Sequence, residues 1–79
     1  MRLHIKLSTT LRDYVKGYEP EKGLHLEVPD GMTVGELARH IGLPLEEIKI
    51  VMVNGRHSEA DDAMRDGDRV AFFPAVGGG

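Results

Sequence analysis

Apolar and polar residues alternate at the start of the chain. Leu3, Ile5 and Leu7 interleave with Arg2, His4 and Lys6, and period two marks a strand with one buried face. Ser8-Thr9-Thr10 offers helix N-caps. Leu11, Tyr14, Val15 and Tyr18 follow at helical spacing, so a short helix ending near Gly17 is expected, then a polar loop through Pro20 and Lys22. Leu24, Leu26 and Val28 alternate with His25 and Glu27 as a second strand, closed by Pro29-Asp30-Gly31.

Thr33 followed by Glu36 is a capping-box pattern, and Met32 with Leu37 forms a hydrophobic staple across it. Val34, Leu37, Ala38 and Ile41 share one helical face; Gly42 and Pro44 stop the helix, which is expected over about 33–41. Ile48–Val53 is nearly continuous apolar sequence and reads as an interior strand. Asn54-Gly55 predicts a type I′ hairpin turn, with a short returning strand at Arg56–Ser58. Acidic residues 59–65 suggest a helical turn, and Asp66-Gly67-Asp68 a tight one. Arg69–Phe73 forms the last strand, with Val70 and Phe72 on one face and Ala71 and Phe73 on the other; Pro74 ends its pairing. One amphipathic helix on one mixed sheet of four to five strands is a two-layer α+β domain. We expect a single domain over 1–76 and a flexible glycine tail over 77–79.

Composition narrows the function. A chain of 79 residues holds one modest core and little room for a deep substrate site. A formal charge of −3 argues against nucleic acid, which needs a concentrated basic surface. The absence of cysteine removes disulfides, thiolate metal sites and a thiol nucleophile, and fits a cytoplasmic protein. No run approaches the ~20 apolar residues that span a bilayer, so no membrane role is expected. Met1–Lys6 alternates instead of forming an apolar leader core, so no signal peptide is expected there.

The chain closes on Gly77-Gly78-Gly79. One reading is a frayed end or a cloning scar. The chemical reading is that Gly79 presents an unhindered, ionised carboxylate that can attack the α-phosphate of ATP and become an acyl-adenylate. Residues without Cβ let such an arm thread another protein's narrow active site. No enzyme activity of its own is then required.

The run Asp66-Gly67-Asp68-Arg69-Val70-Ala71-Phe72-Phe73-Pro74-Ala75-Val76-Gly77-Gly78-Gly79, the Val53-Asn54-Gly55 turn and the Thr33-Val34-Gly35-Glu36-Leu37 helix start resemble the MoaD/ThiS family of ubiquitin-like sulfur carriers. The closing run is most similar to the small subunit of molybdopterin synthase. The resemblance implies a β-grasp fold with no bound cofactor. It implies that Gly79 is adenylated by a ubiquitin-activating-like adenylyltransferase, which uses ATP, and then thiocarboxylated. Sulfur would pass to the large subunit of molybdopterin synthase, or to thiazole synthase in the thiamine branch. Ala75 departs from the usual second proline and Gly77 from a variable position; the long connection through Leu11–Gly17 favours the molybdopterin branch. An interaction module or protein-conjugating tag stands as the reading from another class.

Other candidates are weaker. Phe72 and Phe73 are adjacent, so one belongs to the core and the other to an outer apolar patch; with Pro74 and Val76 they are the candidate docking residues for partners. His4 and His25 fall on outward strand faces, but sequence reveals no third ligand, and no metal is expected. Glu59, Asp61 and Asp62 read as a solvated turn.

Overall fold

The computed structural model describes residues 1–75. Its elements are strand β1 (Arg2–Leu7), a 3-10 segment (Thr9–Tyr14), β2 (Leu24–Glu27), helix α1 (Val34–His40), a 3-10 turn (Leu45–Glu47), β3 (Ile48–Val53), β4 (Arg56–Ser58) and β5 (Arg69–Pro74). The sheet order is β2-β1-β5-β3-β4. β1 and β5 run parallel at its centre, and the other pairs are antiparallel.

Helix α1 is short, and its ends carry much of its stability. Thr33 Oγ1 accepts from the Glu36 N–H at 3.2 Å, and Glu36 Oε1 accepts from the Thr33 N–H at 2.9 Å, completing the expected capping box. The Val34 and Gly35 N–H groups, which a helix start leaves without intrahelical partners, donate to Asp62 O at 3.0 Å and Ala60 O at 2.7 Å. That approach favours glycine: a Cβ on Gly35 would lie 3.1 Å from Ala60 O, and the carbonyl would have to give by a few tenths of an ångström. At the other end Gly42 adopts φ 86°, and the Leu43 and Gly42 N–H groups return to Ala38 O and Arg39 O as a Schellman closure.

The core lies between this helix and one sheet face. Leu3, Ile5 and Leu7 of β1, Val70 and Phe72 of β5 and Val51 of β3 pack with Val34, Leu37 and Ala38. The register aligns Ile5 with Val70 and Leu7 with Phe72, which places the inward positions of the two central strands side by side.

Two expectations are corrected. The first connection is a 3-10 segment ending at Tyr14, not a helix reaching Gly17, and Ser8 makes no side-chain cap. Its side chains instead cap the end of β1: Arg12 Nε donates to Leu7 O at 2.9 Å, and Tyr18 Oη accepts from the Leu7 N–H at 2.8 Å. A segment this short has no helix-propagation energy to resist them. Residues 59–65 hold no helical turn. The Asp62 carboxylate takes the Glu59 N–H and the Ser58 hydroxyl, Ala63 bridges to Thr33, and the backbone carbonyls are committed to α1. These bonds to the helix start compete with any local helix.

Candidate functional site

The site is built around the end of β5. Gly77, Gly78, Gly79 and Val76 lie outside the described residues. The strand that leads to them is held by interlocking polar contacts at its start. In the Asp66-Gly67-Asp68 turn, Asp66 Oδ1 accepts from the Arg2 N–H at 2.6 Å, and the Gly67 N–H donates to Arg2 O at 2.7 Å. The Asp68 carboxylate takes the Arg65 N–H and the Asn54 side-chain amide, each at 2.8 Å. Asn54 Oδ1 then accepts from the Arg69 N–H at 2.9 Å, and the Asn54 N–H donates to Arg69 O at 2.8 Å. Asn54 has φ 52° and Gly55 φ 80°, as a type I′ turn demands. The β3–β4 turn is therefore clamped to the first residue of β5. Sequence reading saw Asn54 only as a turn former; its amide sits 14 residues from Asp68, and no local signal links them.

At its far end β5 pairs Phe73 with Ile50 and Pro74 with Ile48, across a register shift between Ile48 and Ile50. Such bulges bend a strand and increase its twist. Pro74 has no N–H to extend the ladder, and Ala75 beyond it is exposed.

The paired phenylalanines divide as alternation requires. Phe72 is 0% exposed in the core, so its expected place among the docking residues is corrected: its ring offers nothing to a partner. Phe73 and Pro74 are half-buried. Phe73 lies on the outer sheet face with Ala71 of β5 and Ile50 and Met52 of β3, the face opposite to that of Val51, Val70 and Phe72. Ile50 is 40% exposed there. A shallow depression of about 390 Å³ is lined by Met52, Ala71, Phe73, His4, Lys6 and Arg69, among others.

His4 and His25 are directly opposite in register. The His4 N–H points the other way, to Asp68 O, so the two form a non-hydrogen-bonded pair with close side chains. Their rings stack at 4.2 Å between centroids, 11° from parallel, and His4 Nε2 lies 3.1 Å from Lys22 O. No group of three or more metal-ligating His, Cys, Asp or Glu side chains gathers among the described residues.

Two carboxylates depart from their ordinary behaviour. Glu36 is held below the usual carboxylate range, first by the Thr33 N–H and then by the Thr33 hydroxyl. Asp62 is lowered first by the Glu59 N–H and then by the Ser58 hydroxyl. Both act at the helix start and neither adjoins the end of β5. Among the described residues no helix is long and apolar enough to cross a membrane.

A five-stranded mixed sheet with one helix across it defines a ubiquitin-like β-grasp fold. Comparison with known proteins makes this specific. A model of the ThiS family matches residues 5–79, and the chain belongs to the ThiS family. The solution structure of the Haloferax volcanii HVO 2177 protein is 30% identical, with a TM-score of 0.76, over 100% of this chain and 87% of that one. Small archaeal modifier protein 1 of H. volcanii is 21% identical with a TM-score of 0.72, over 95% of this chain and 98% of that one. The complex of subunits 1 and 2 of the molybdopterin-converting factor from Helicobacter pylori contains a chain 16% identical, with a TM-score of 0.62 and full coverage of both. The last two likenesses establish shared fold alone. The chain thus has the small carrier fold of the ThiS/MoaD type and is not built as an enzyme.

Proposed function

We propose that this protein is a sulfur carrier acting in the cytoplasm, most directly in molybdopterin synthesis, with the Gly79 carboxylate as its working group. An adenylyltransferase of the ubiquitin-activating type binds the folded body. The carboxylate oxygen attacks the α-phosphate of ATP, pyrophosphate leaves, and an acyl-adenylate forms. Hydrosulfide supplied by a donor then attacks the acyl carbon, the bond from that carbon to the AMP oxygen breaks and AMP leaves, giving a thiocarboxylate that carries the sulfur to an acceptor bound on a large synthase subunit. The carrier holds no cofactor; ATP belongs to its partner.

The observation that carries the reading is the position of the glycines. They begin three residues after Pro74, the last residue of β5, so in the sequence the glycines follow closely on a strand that contributes Val70 and Phe72 to the core. Membership of the ThiS family supports the chemistry, and the likeness to a subunit of the molybdopterin-converting factor supports the acceptor. Phe73 and Pro74, beside that exit, serve as docking residues.

Incubation with ATP, the adenylating enzyme and a sulfur donor, followed by intact mass measurement, tests the proposal. An oxygen-to-sulfur mass increase at the C-terminus is expected. Deleting Gly79 abolishes that increase and leaves the melting temperature unchanged, because a glycine has no side chain to contribute to a core. The fold shared with small archaeal modifier protein 1 favours one second reading, a protein tag; an isopeptide to a lysine in place of the thiocarboxylate would establish it. Transfer of sulfur to thiazole synthase, and not to the large synthase subunit, would move the carrier to the thiamine branch.

A further inference from the structure

A sheet exposes the backbone of its outermost strands, and the order β2-β1-β5-β3-β4 makes β2 and β4 those strands. The His4 N–H donates to Asp68 O; the Arg2 N–H donates to Asp66 Oδ1, and Arg2 O accepts from the Gly67 N–H. The backbone groups of His4 and Arg2 therefore face away from β2. Their register partners, His25 and Glu27, sit in non-hydrogen-bonded pairs. The N–H and C=O groups of His25 and Glu27 point out of the sheet edge, and no backbone partner takes them among the described residues. Both residues are exposed. Leu24 and Leu26, which alternate with them, turn inward against the core but stay half-buried. The opposite edge is more fully closed. β4 has three residues, and its two-residue turn bonds Arg56 to Val53, which leaves His57 as its one residue with outward groups. Ser58 and Glu59 beside it are bonded to the Asp62 carboxylate. Edges are commonly blunted by proline, lysine or a bulge; Leu24–Glu27 contains neither residue and pairs with β1 without a register shift.

We propose that β2 pairs antiparallel with β2 of a second copy of this chain, joining the two sheets into one. Outward backbone groups must meet outward groups, which restricts the register. Setting His25 against His25 opposes identical imidazoles and brings Glu27 against Gly23, whose N–H already donates to Glu19 O at 2.8 Å. Setting Glu27 against Glu27 opposes like charges and brings His25 against Pro29, which has no N–H. The remaining register sets His25 against Glu27 of the second copy, and Leu26 against Leu26. It satisfies the outward groups of both residues in both copies. Each row on the outer face then runs from Arg2 and Glu27 of one copy to His25 and His4 of the other, so the carboxylate lies between a guanidinium and an imidazole. Arg2 Nε already lies 3.5 Å from Glu27 Oε1, and the His25 ring is already stacked on His4, so these groups are oriented before the copies meet. On the inner face the two Leu26 side chains come together at the close spacing of a non-hydrogen-bonded pair. This self-complementarity of His25 and Glu27, two residues apart, favours a second copy over an unrelated extended segment. Pairing stops at Pro29, and the contact is isologous, so it closes at two copies. β5 is separated from β2 by β1, which keeps Pro74 clear of the interface. The inference stands independently of the carrier reading.

A ladder this short is a small interface beside stable complexes, which bury about 1,200–2,000 Å², so the expected association is weak. The test uses the full chain alone. Sedimentation equilibrium is measured from micromolar to millimolar concentration, with amide hydrogen exchange followed over the same range. The mass should rise toward two chains and no further. Exchange at the His25 and Glu27 N–H groups should slow with concentration while the His57 N–H is unaffected. Glu27→Lys and His25→Glu should each raise the dissociation constant about tenfold or more, because a symmetric interface carries each change twice. An equimolar mixture of the two variants should recover the dimer, since the substituted positions then face one another with opposite charge. Both positions are exposed, so each variant, when dilute, should keep the wild-type melting temperature. A mass that stays at one chain up to millimolar concentration would overturn the proposal. So would a dimer that both variants leave intact, weakening that the mixture does not reverse, or slowed exchange at His57 in place of His25 and Glu27. Protection of His25 and Glu27 by the adenylating enzyme, in a chain that never dimerises, would also overturn it and assign the edge to a strand of another protein.

Discussion

The two faces of this sheet are made by the same strands and do opposite work. On the helix-covered face, Leu3, Ile5, Leu7, Val70 and Phe72 are almost completely buried. On the other, His4, Lys6, Ala71 and Phe73 remain partly exposed. Phe72 and Phe73 are chemically identical neighbours, and only strand alternation separates a core ring from a surface ring. The contrast shows how a small domain can leave an apolar side chain at its surface without adding an element: the reverse side of strands already required for stability carries it.

Substituting each ring breaks the comparison most sharply. Phe72→Ala should cost about 3–5 kcal/mol, the usual penalty for emptying an aromatic core site, a large share of the ~5–15 kcal/mol that holds a small domain together. Urea denaturation measures it. Phe73→Ala should cost well under that in the same assay and show its effect in partner binding. Equal stability losses at the two positions would mean that the faces are not distinct.

Next in size is the clamp that presents β5. Asp68→Ala leaves the Asn54 amide and the Arg65 N–H without their carboxylate, and bonds to charged groups contribute about 1.5–3 kcal/mol each; exposure at this turn moves the expected loss to the low end. Hydrogen exchange should show faster opening of the Arg69 N–H than of the Val70 N–H deeper in the strand. Removal of the α1 cap comes below this: Thr33→Ala should cost about 1 kcal/mol, read by thermal melting, with no change in sulfur loading.

The smallest effect is on pH. Glu36 and Asp62 are both more acidic in the folded chain than carboxylates ordinarily are. A depressed folded value means the unfolded chain binds protons first as pH falls. Their contribution is therefore complete above the ordinary carboxylate range of about 4 and disappears as pH drops through their lower folded values. Melting temperatures measured from about pH 6 down to about pH 3 should decline. The decline should be shallower in Thr33→Ala, which loses the hydroxyl that helps hold Glu36 ionised.

Much of this was readable from local patterns. Alternation located β1, β2 and β5; Thr33 and Glu36 marked the start of α1, Gly42 its end, and Asn54-Gly55 the hairpin. These are features whose cause lies within a few residues, in dihedral preference or a nearby side-chain bond. The closing run, with the Val53-Asn54-Gly55 turn and the Thr33–Leu37 helix start, pointed to the family. Local helical spacing misled in the Leu11–Gly17 connection, where Arg12 and Tyr18 are drawn to the end of β1, and acidic composition misled at 59–65, where the backbone is drawn to α1.

What the sequence by itself determined, then, was the inventory of strands, the capped helix and the turns. Only the tertiary structure decided that Phe72 faces inward and Phe73 outward, because period two distinguishes the faces without saying which is covered. Parallel pairing with β1 and the position of α1 make that choice. It also decided that Asn54 grips Asp68 and that His4 stacks on His25. Those arrangements join residues far apart in the chain, and each depends on strand order and register that no local preference encodes.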